Sequence, residues 1–295
     1  MSDSSETNEV AEEVKQVEVK KKRGRPSKAD LAAREQAKLD EYKKNNPVPS
    51  MDDIFYFYNE KKASDRAATI LMVGKSGRGK TYTTKYLIDY ITRGMHKFKF
   101  GLVFAKSSFN GDWSFMPDNA VVQGWNQQVF EKYIQRLEEM RKELGDNMPC
   151  SFMVLDDLFG TKELISNGAF ESFCSRSRHL GVTLFILVQY LNSATSSTIL
   201  REQASHVFMF YSKTARTIDS FYQWFGQEFK SVDAFKEYME HRIGKDLNSC
   251  ILYIEKNEGI DNNYYCFKAP GPDHWHMTEK YHFGKPSSDK NSSYG

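Results

Sequence analysis

Six short apolar runs, separated by long amphipathic or polar stretches, constrain this chain more than any other feature. They are AATILMV at 67–73, FGLVFA at 100–105, SFMVLDDL at 151–158, VTLFILV at 182–188, HVFMFY at 206–211 and CILYIE at 250–255. Runs of this length with little polar alternation suit strands buried on both faces. Between them, residues 126–144 repeat Val129, Phe130, Tyr133, Ile134, Leu137, Met140 and Leu144 at helical spacing. Residues 214–225 likewise place Ile218, Phe221, Tyr222 and Phe225 on one helical face. Buried strands alternating with amphipathic helices predict an α/β fold, a parallel sheet covered by helices on both sides.

Length and charge narrow the function classes. At 295 residues, 40% of them hydrophobic, the chain suits one large domain or two small ones. Lys plus Arg number 41 against 39 acidic residues, a formal net charge of +2, which excludes a uniformly basic nucleic-acid coat. Any contact with nucleic acid must come from a local patch. The longest apolar run, about Val182 to Val188, falls well short of the roughly 20 residues that span a bilayer. No apolar signal segment follows Met1. Cys150, Cys174, Cys250 and Cys266 are widely spaced and form no C-x-x-C pair, which suits a reducing compartment rather than a disulfide or zinc framework. An intracellular protein with no membrane partner is expected.

Composition divides the chain into an arm at 1–50, a folded domain at 51–284 and a flexible tail at 285–295. Residues 1–19 carry six acidic side chains and one lysine, whereas KKKRGRPSK at 20–28 carries six basic ones and no acid. With little to bury, such a charge-segregated arm is expected to be disordered. Residues 30–44 suit a helix that NNPVP then breaks.

The first apolar run leads directly into Gly74-Lys75-Ser76-Gly77-Arg78-Gly79-Lys80-Thr81, a full match to G-x-x-x-x-G-K-[ST], and a helical stretch with Tyr86, Leu87 and Ile91 follows. The chemistry needs each part. Glycines let successive backbone N–H groups turn inward as an anion nest, and a helix starting near Gly79 adds its positive dipole end. Lys80 is expected to reach the β- and γ-phosphates of a nucleotide, and the Thr81 hydroxyl to ligate Mg2+.

Two further strand ends carry chemistry. SFMVL at 151–155 ends in Asp156 and Asp157. In enzymes with such a loop the first acid holds Mg2+, and the second, more often Glu, polarises the attacking water. Asp157 sits one methylene short of Glu, so Asp156 is the firmer assignment; taken alone, the pair would equally cap a turn. The run Val182–Val188 ends in Gln189, at the strand tip where open α/β sheets place ligands. That amide suits sensing a γ-phosphate or orienting water, and equally suits closing the strand end.

GKSGRGKT, FMVLDD, SRSRHLGVTLFILVQY and ILREQASHVFMFY together resemble the FtsK–HerA superfamily of ring ATPases, in particular the poxvirus-type DNA-packaging ATPases of large DNA viruses and their relatives. The resemblance covers roughly residues 66–212, and SRHLGVT…VQY is its discriminating stretch. It implies a P-loop NTPase fold of the additional-strand type with a five-stranded parallel core, acting as a homo-oligomeric ring. It implies ATP hydrolysis driving double-stranded DNA into a capsid, with Lys80 as the loop lysine, Asp156 as the metal acid and Gln189 as the sensor. An arginine finger would come from a neighbouring subunit; Arg176, Arg178 and Arg201 are the candidates, Arg201 first. Capsid proteins are the implied docking partners. A viral assembly site or the virion is the implied location, and the host nucleus is compatible with it.

Lys22-Arg23-Gly24-Arg25-Pro26 resembles an AT-hook, whose extended R-G-R-P core enters an A·T-rich minor groove. A nuclear-localisation signal is the alternative reading. Two other functions remain open from sequence: a nucleoside or small-molecule kinase, and an AT-hook DNA-binding protein with an inert nucleotide fold. No N-K-x-D motif occurs, which disfavours a GTPase. His179, His206 and His241 are read as structural.

Overall fold

All six apolar runs form strands, and two shorter segments join them in one eight-stranded sheet. The strands are β1 (Thr69–Val73), β2 (Phe100–Ala105), β3 (Val121–Gln123), β4 (Ser151–Asp156), β5 (Val182–Val188), β6 (His206–Phe210), β7 (Ser249–Ile254) and β8 (Tyr264–Lys268). Their order across the sheet is β3-β2-β4-β5-β1-β6-β7-β8. The strands β1 to β6 pair in parallel, and β7 and β8 extend the sheet antiparallel. Parallel neighbours need crossovers, which helices supply. Besides the single turn Met51–Ile54, the α-helices described from Val48 onward are α1 (Lys80–Gly94), α2 (Gln127–Leu144), α3 (Gly168–Arg176), α4 (Thr198–Gln203), α5 (Ala215–Phe225) and α6 (Val232–Ile243).

This computed structural model describes residues 27–30, 33, 34, 37, 51–54, 67–94, 98–106, 112–158, 164, 168–191, 198–244, 246, 248–254 and 263–271. The AT-hook-like residues Lys22, Arg23, Gly24, Arg25 and Pro26, and the tail at 285–295, lie outside the described residues. The chain divides into two units, Met1–Pro47 and Val48–Gly295. In the first, residues 28–30, 33, 34 and 37 are helical, and Ser27 and Asp30 cap each other reciprocally. The Asp30 N–H donates to Ser27 Oγ, and the Ser27 N–H to Asp30 Oδ2, both at 3.1 Å. Among the described residues no helix is long and apolar enough to cross a membrane.

The strands read as continuous apolar runs because both sheet faces are covered. Alternate residues of β1 serve opposite cores. Leu71 and Val73 join Phe130, Ile134, Phe173, Phe221 and Phe235 from α2, α3, α5 and α6, while Ile70 and Met72 join Leu87, Ile88 and Ile91 of α1. The expected helix at 126–144 is α2, with Asn126 as its cap: Asn126 Oδ1 accepts from the Val129 N–H at 3.1 Å. Its stripe buries Phe130, Ile134 and Leu137, but Leu144 is 44% exposed because the helix ends there at Gly145. The parallel part has six strands rather than the five implied by resemblance, since β3 adds beside β2.

Phe130 anchors the α2 face, with its ring 4.7 Å from Trp125, 5.4 Å from Phe173 and 5.9 Å from Phe170, centroid to centroid. Phe130→Ala is expected to cost about 3–5 kcal/mol of stability, read as a lowered urea midpoint. A loss below about 1 kcal/mol would show that this aromatic cluster does not hold α2 to the sheet.

Candidate nucleotide site

The glycine loop, the acid pair and Gln189 converge at the carboxyl ends of β1, β4 and β5. The sheet order explains why: β5 lies between β1 and β4, so Gln189 emerges between the glycine loop and the acid pair. The Gly74 N–H donates to Val188 O at 3.0 Å, tying the loop's first residue to the end of β5. Gly77 and Gly79 adopt φ of 75° and 93°, which only glycine accepts readily. Gly74 is required for another reason: a Cβ there would lie 2.6 Å from Phe210 Cβ. A Cβ at Gly77 would meet nothing within 4 Å, so the loop is open on that side. Lys75, Ser76 and Gly77 are exposed, Arg78 is half-buried, and α1 begins at Lys80, its first turn closed by Thr83 N–H to Gly79 O at 2.8 Å.

Lys80 is only 5% exposed. Its ammonium bends back over the loop, donating to Gly74 O at 2.7 Å and Lys75 O at 3.4 Å, and lies 4.0 Å from Asp157 Oδ1. Burial pulls its pKa down, and the charges of Asp157 and Asp156 oppose that shift.

Asp156 ends β4, and its Oδ2 accepts two donors, Trp113 Nε1 at 3.2 Å and Thr81 Oγ1 at 3.4 Å. Burial, then the neighbouring Asp157 charge, push its pKa up to about 6, against the Trp113 hydrogen bond and Lys80, which lower it. Asp157 leaves the strand in the left-handed region at φ 55°, a conformation that aspartate tolerates better than most residues. Its Oδ2 accepts Gln189 Nε2 at 2.9 Å, while its Oδ1 is buried with no hydrogen-bond partner among the described residues.

These residues fit a nucleotide and its divalent cation. The loop is open at Gly77, a buried ammonium rests on main-chain oxygens that a phosphate would replace, and two adjacent carboxylates are half-buried beside it. Asp157 Oδ1 has the Lys80 ammonium 4.0 Å away but no hydrogen bond among the described residues, and burial raises the Asp156 pKa, so the acid pair has room for a further cation. Thr81 and Asp156 are the residues placed to hold Mg2+.

The three arginines sit elsewhere. The Ser205 N–H donates to Thr69 O and the Ser151 N–H to Gly181 O, each at 3.0 Å, which places the residues preceding β5 and β6 at the amino ends of the strands. Arg176, Arg178 and Arg201 belong to that end, opposite the glycine loop. Arg176 pairs with Glu138 at 2.9 Å, Arg178 is exposed, and the Arg201 guanidinium lies 5.6 Å from the Trp224 ring centroid. None reaches the loop of its own chain. His206 is buried, with Nε2 3.1 Å from Ile54 O, and the exposed His241 lies 3.5 Å from Glu237. Sequence reasoning missed Trp113, because a single tryptophan outside the apolar runs carries no motif.

No family profile and no curated protein matches the chain. Solved structures do. The DNA-packaging ATPase B204 of Sulfolobus turreted icosahedral virus aligns over 72% of this chain and 100% of its own, with a TM-score of 0.50 and 14% identity. The fold is that of a P-loop NTPase. The genome-packaging NTPase B204 of Sulfolobus turreted icosahedral virus 2, bound to ATP-γ-S, aligns over 64% of this chain and 92% of its own, with a TM-score of 0.47 and 18% identity. The cytoplasmic domain of the type VII secretion ATPase EccC of Thermomonospora curvata aligns over 68% of this chain and 25% of its own, at 0.48 and 16%.

Proposed function

We propose that this P-loop NTPase hydrolyses ATP to move double-stranded DNA, as a ring motor of the FtsK–HerA type that packages a viral genome. The observation carrying this reading is the bond from Gln189 to Asp157: a strand inserted between the loop and the acids delivers an amide onto the second acid. The alignment of 72% of this chain with the whole of a protein named as a DNA-packaging ATPase supports it.

The residues divide the work. Lys80 leaves the Gly74 oxygen for the β- and γ-phosphates, and the backbone of Gly74 to Gly79 cradles them. Thr81 and Asp156 would hold Mg2+, which would supply positive charge against the phosphates. Asp157 orients the attacking water through its buried Oδ1, and Gln189 fixes that carboxylate while reporting on the γ-phosphate side. Arg201, remote from its own loop, serves the site of the next subunit. Duplex DNA, further copies of the chain and a capsid protein are the partners, at a viral assembly site. A kinase gives no role to the Gln189–Asp157 bond, and an inert fold gives none to the acid pair.

Stimulation of ATP hydrolysis by duplex DNA tests the reading, and its absence would remove the translocase assignment. The arm is expected to act as a tether outside the motor. Deleting residues 1–30 removes six basic side chains of the 20–28 run. If about four to six of them meet phosphates, the log–log salt slope of binding falls by about 0.9 for each. Basal hydrolysis stays unchanged, and preference for A·T-rich duplex disappears. An unchanged slope, with no A·T preference in the full chain, would leave the run as a targeting signal.

A further inference from the structure

Among the described residues of the site, Trp113 is the one that no motif accounts for. It is 3% exposed, packed in the core layer that also holds α1. Packing alone would be met by phenylalanine; what the indole adds is a single N–H donor. That donor points at Asp156 Oδ2, 3.2 Å away.

The segment carrying Trp113 is fixed where it stands. Asp112 Oδ1 lies 3.7 Å from Lys85 Nζ, one turn beyond Thr81 on α1. The Met116 N–H donates to Trp113 O at 2.9 Å, and the Phe115 ring packs 5.9 Å from the indole. The indole therefore meets the carboxylate as a preset donor, with no second acceptor among the described residues.

The other donor on the same oxygen is different. Thr81 Oγ1, at 3.4 Å, belongs to the hydroxyl that the cation itself needs. If Thr81 Oγ1 turned a lone pair to a metal, the hydroxyl would keep its proton but its direction would be set by the metal as well as by Asp156. Trp113 has no such competing duty.

We propose that Trp113 is a positioning residue for the metal acid: its indole N–H fixes the orientation of the Asp156 carboxylate toward the cation that Asp156 and Thr81 would hold. This rests on the nucleotide-site reading above and adds to it a residue from outside the three motifs. It predicts a defect in cation coupling rather than in phosphate binding, because Trp113 contacts the acid and the glycine loop is held by separate bonds from Val188 and Lys80. A hydrogen bond to a charged acceptor is a substantial interaction, and its loss is expected to raise the Mg2+ requirement about tenfold.

The test is binding of a non-hydrolysable ATP analogue across a Mg2+ series, with wild type and Trp113→Phe compared alongside their thermal unfolding. For Trp113→Phe the Mg2+ midpoint should rise about tenfold, with affinity in the absence of Mg2+ within about twofold of wild type. Replacing Trp113 by benzothienylalanine, which keeps the bicyclic shape without the N–H, should give the same shift and covers the case in which phenylalanine packs poorly. An unchanged midpoint in either folded variant overturns the proposal alone. So does an equal loss with and without Mg2+, which marks a purely structural role. A wild-type protein that binds no nucleotide at any Mg2+ concentration would overturn the site reading and this inference with it.

Discussion

Lys80→Ala and Asp156→Asn should each reduce ATP hydrolysis by about 100-fold or more, since groups aimed at developing charge typically supply factors of that order. Lys80 is the buried ammonium already resting on Gly74 O at 2.7 Å, so its removal takes away the positive charge beside the phosphates. Asp156→Asn keeps the side-chain shape and an oxygen for Trp113 while deleting the charge that would hold the metal. The fold should survive, and for Asp156→Asn the sign is specific. Burial and the Asp157 charge raise the Asp156 pKa from 3.8 to about 6. A raised folded-state pKa means stability is fully present below the unfolded value and lost as pH rises through about 6. Asparagine carries no such loss. Without Mg2+, the variant should therefore gain on wild type between about pH 4 and pH 6 in thermal unfolding and keep that gain at higher pH. More than about a tenth of wild-type turnover in either variant would remove these residues from the chemistry, and a constant gap across pH would remove the electrostatic account of Asp156.

The second large effect belongs to assemblies. Arg201→Ala alone is expected to lose most activity, as arginine fingers supply roughly 10³–10⁵ in rate. Mixing inactive Arg201→Ala with inactive Lys80→Ala subunits should then restore a measurable fraction. At some interfaces an intact loop from one variant meets an intact arginine from the other. The basis is the position of Arg201 on α4, at the amino ends of the strands, where it cannot serve its own loop. Full activity of Arg201→Ala, or mixtures as inactive as their parts, would transfer the role to Arg178 or to Arg176, whose bond to Glu138 must then break.

Much of this architecture was legible in the residues. Strands buried on both faces cannot alternate, so β1, β2 and β4 to β7 stand out as apolar runs, and the glycine loop carries its own spacing. What escaped did so for physical reasons. β3 is three residues long, and its Val121 and Val122 are only half-buried, too little for a pattern. β8 reads YYCFK, with its tyrosines half-buried. Helix α6 did carry a signal: Ser231 as cap, then Phe235, Met239 and Ile243 at every fourth position, all buried. At the site, Asp156, Asp157 and Gln189 could be nominated singly from strand ends. That they meet depends on β5 lying between β1 and β4, a property of strand order that no local pattern encodes. Trp113 needed the folded chain, because its partner lies 43 residues away.

The glycines of the loop answer to different masters. Position 74 is closed by Phe210 beneath it, so the chain's own interior demands a glycine whether or not a nucleotide ever arrives. Position 77 faces open space and is held only by its backbone conformation, at a cost of roughly 1–2 kcal/mol for another residue. In a descendant that had ceased to bind nucleotide, drift would therefore begin at 77 and 80 and come last to 74. A lone surviving glycine after β1 would then record ancestry, and only the pair of Gly77 with Lys80 would record a working enzyme.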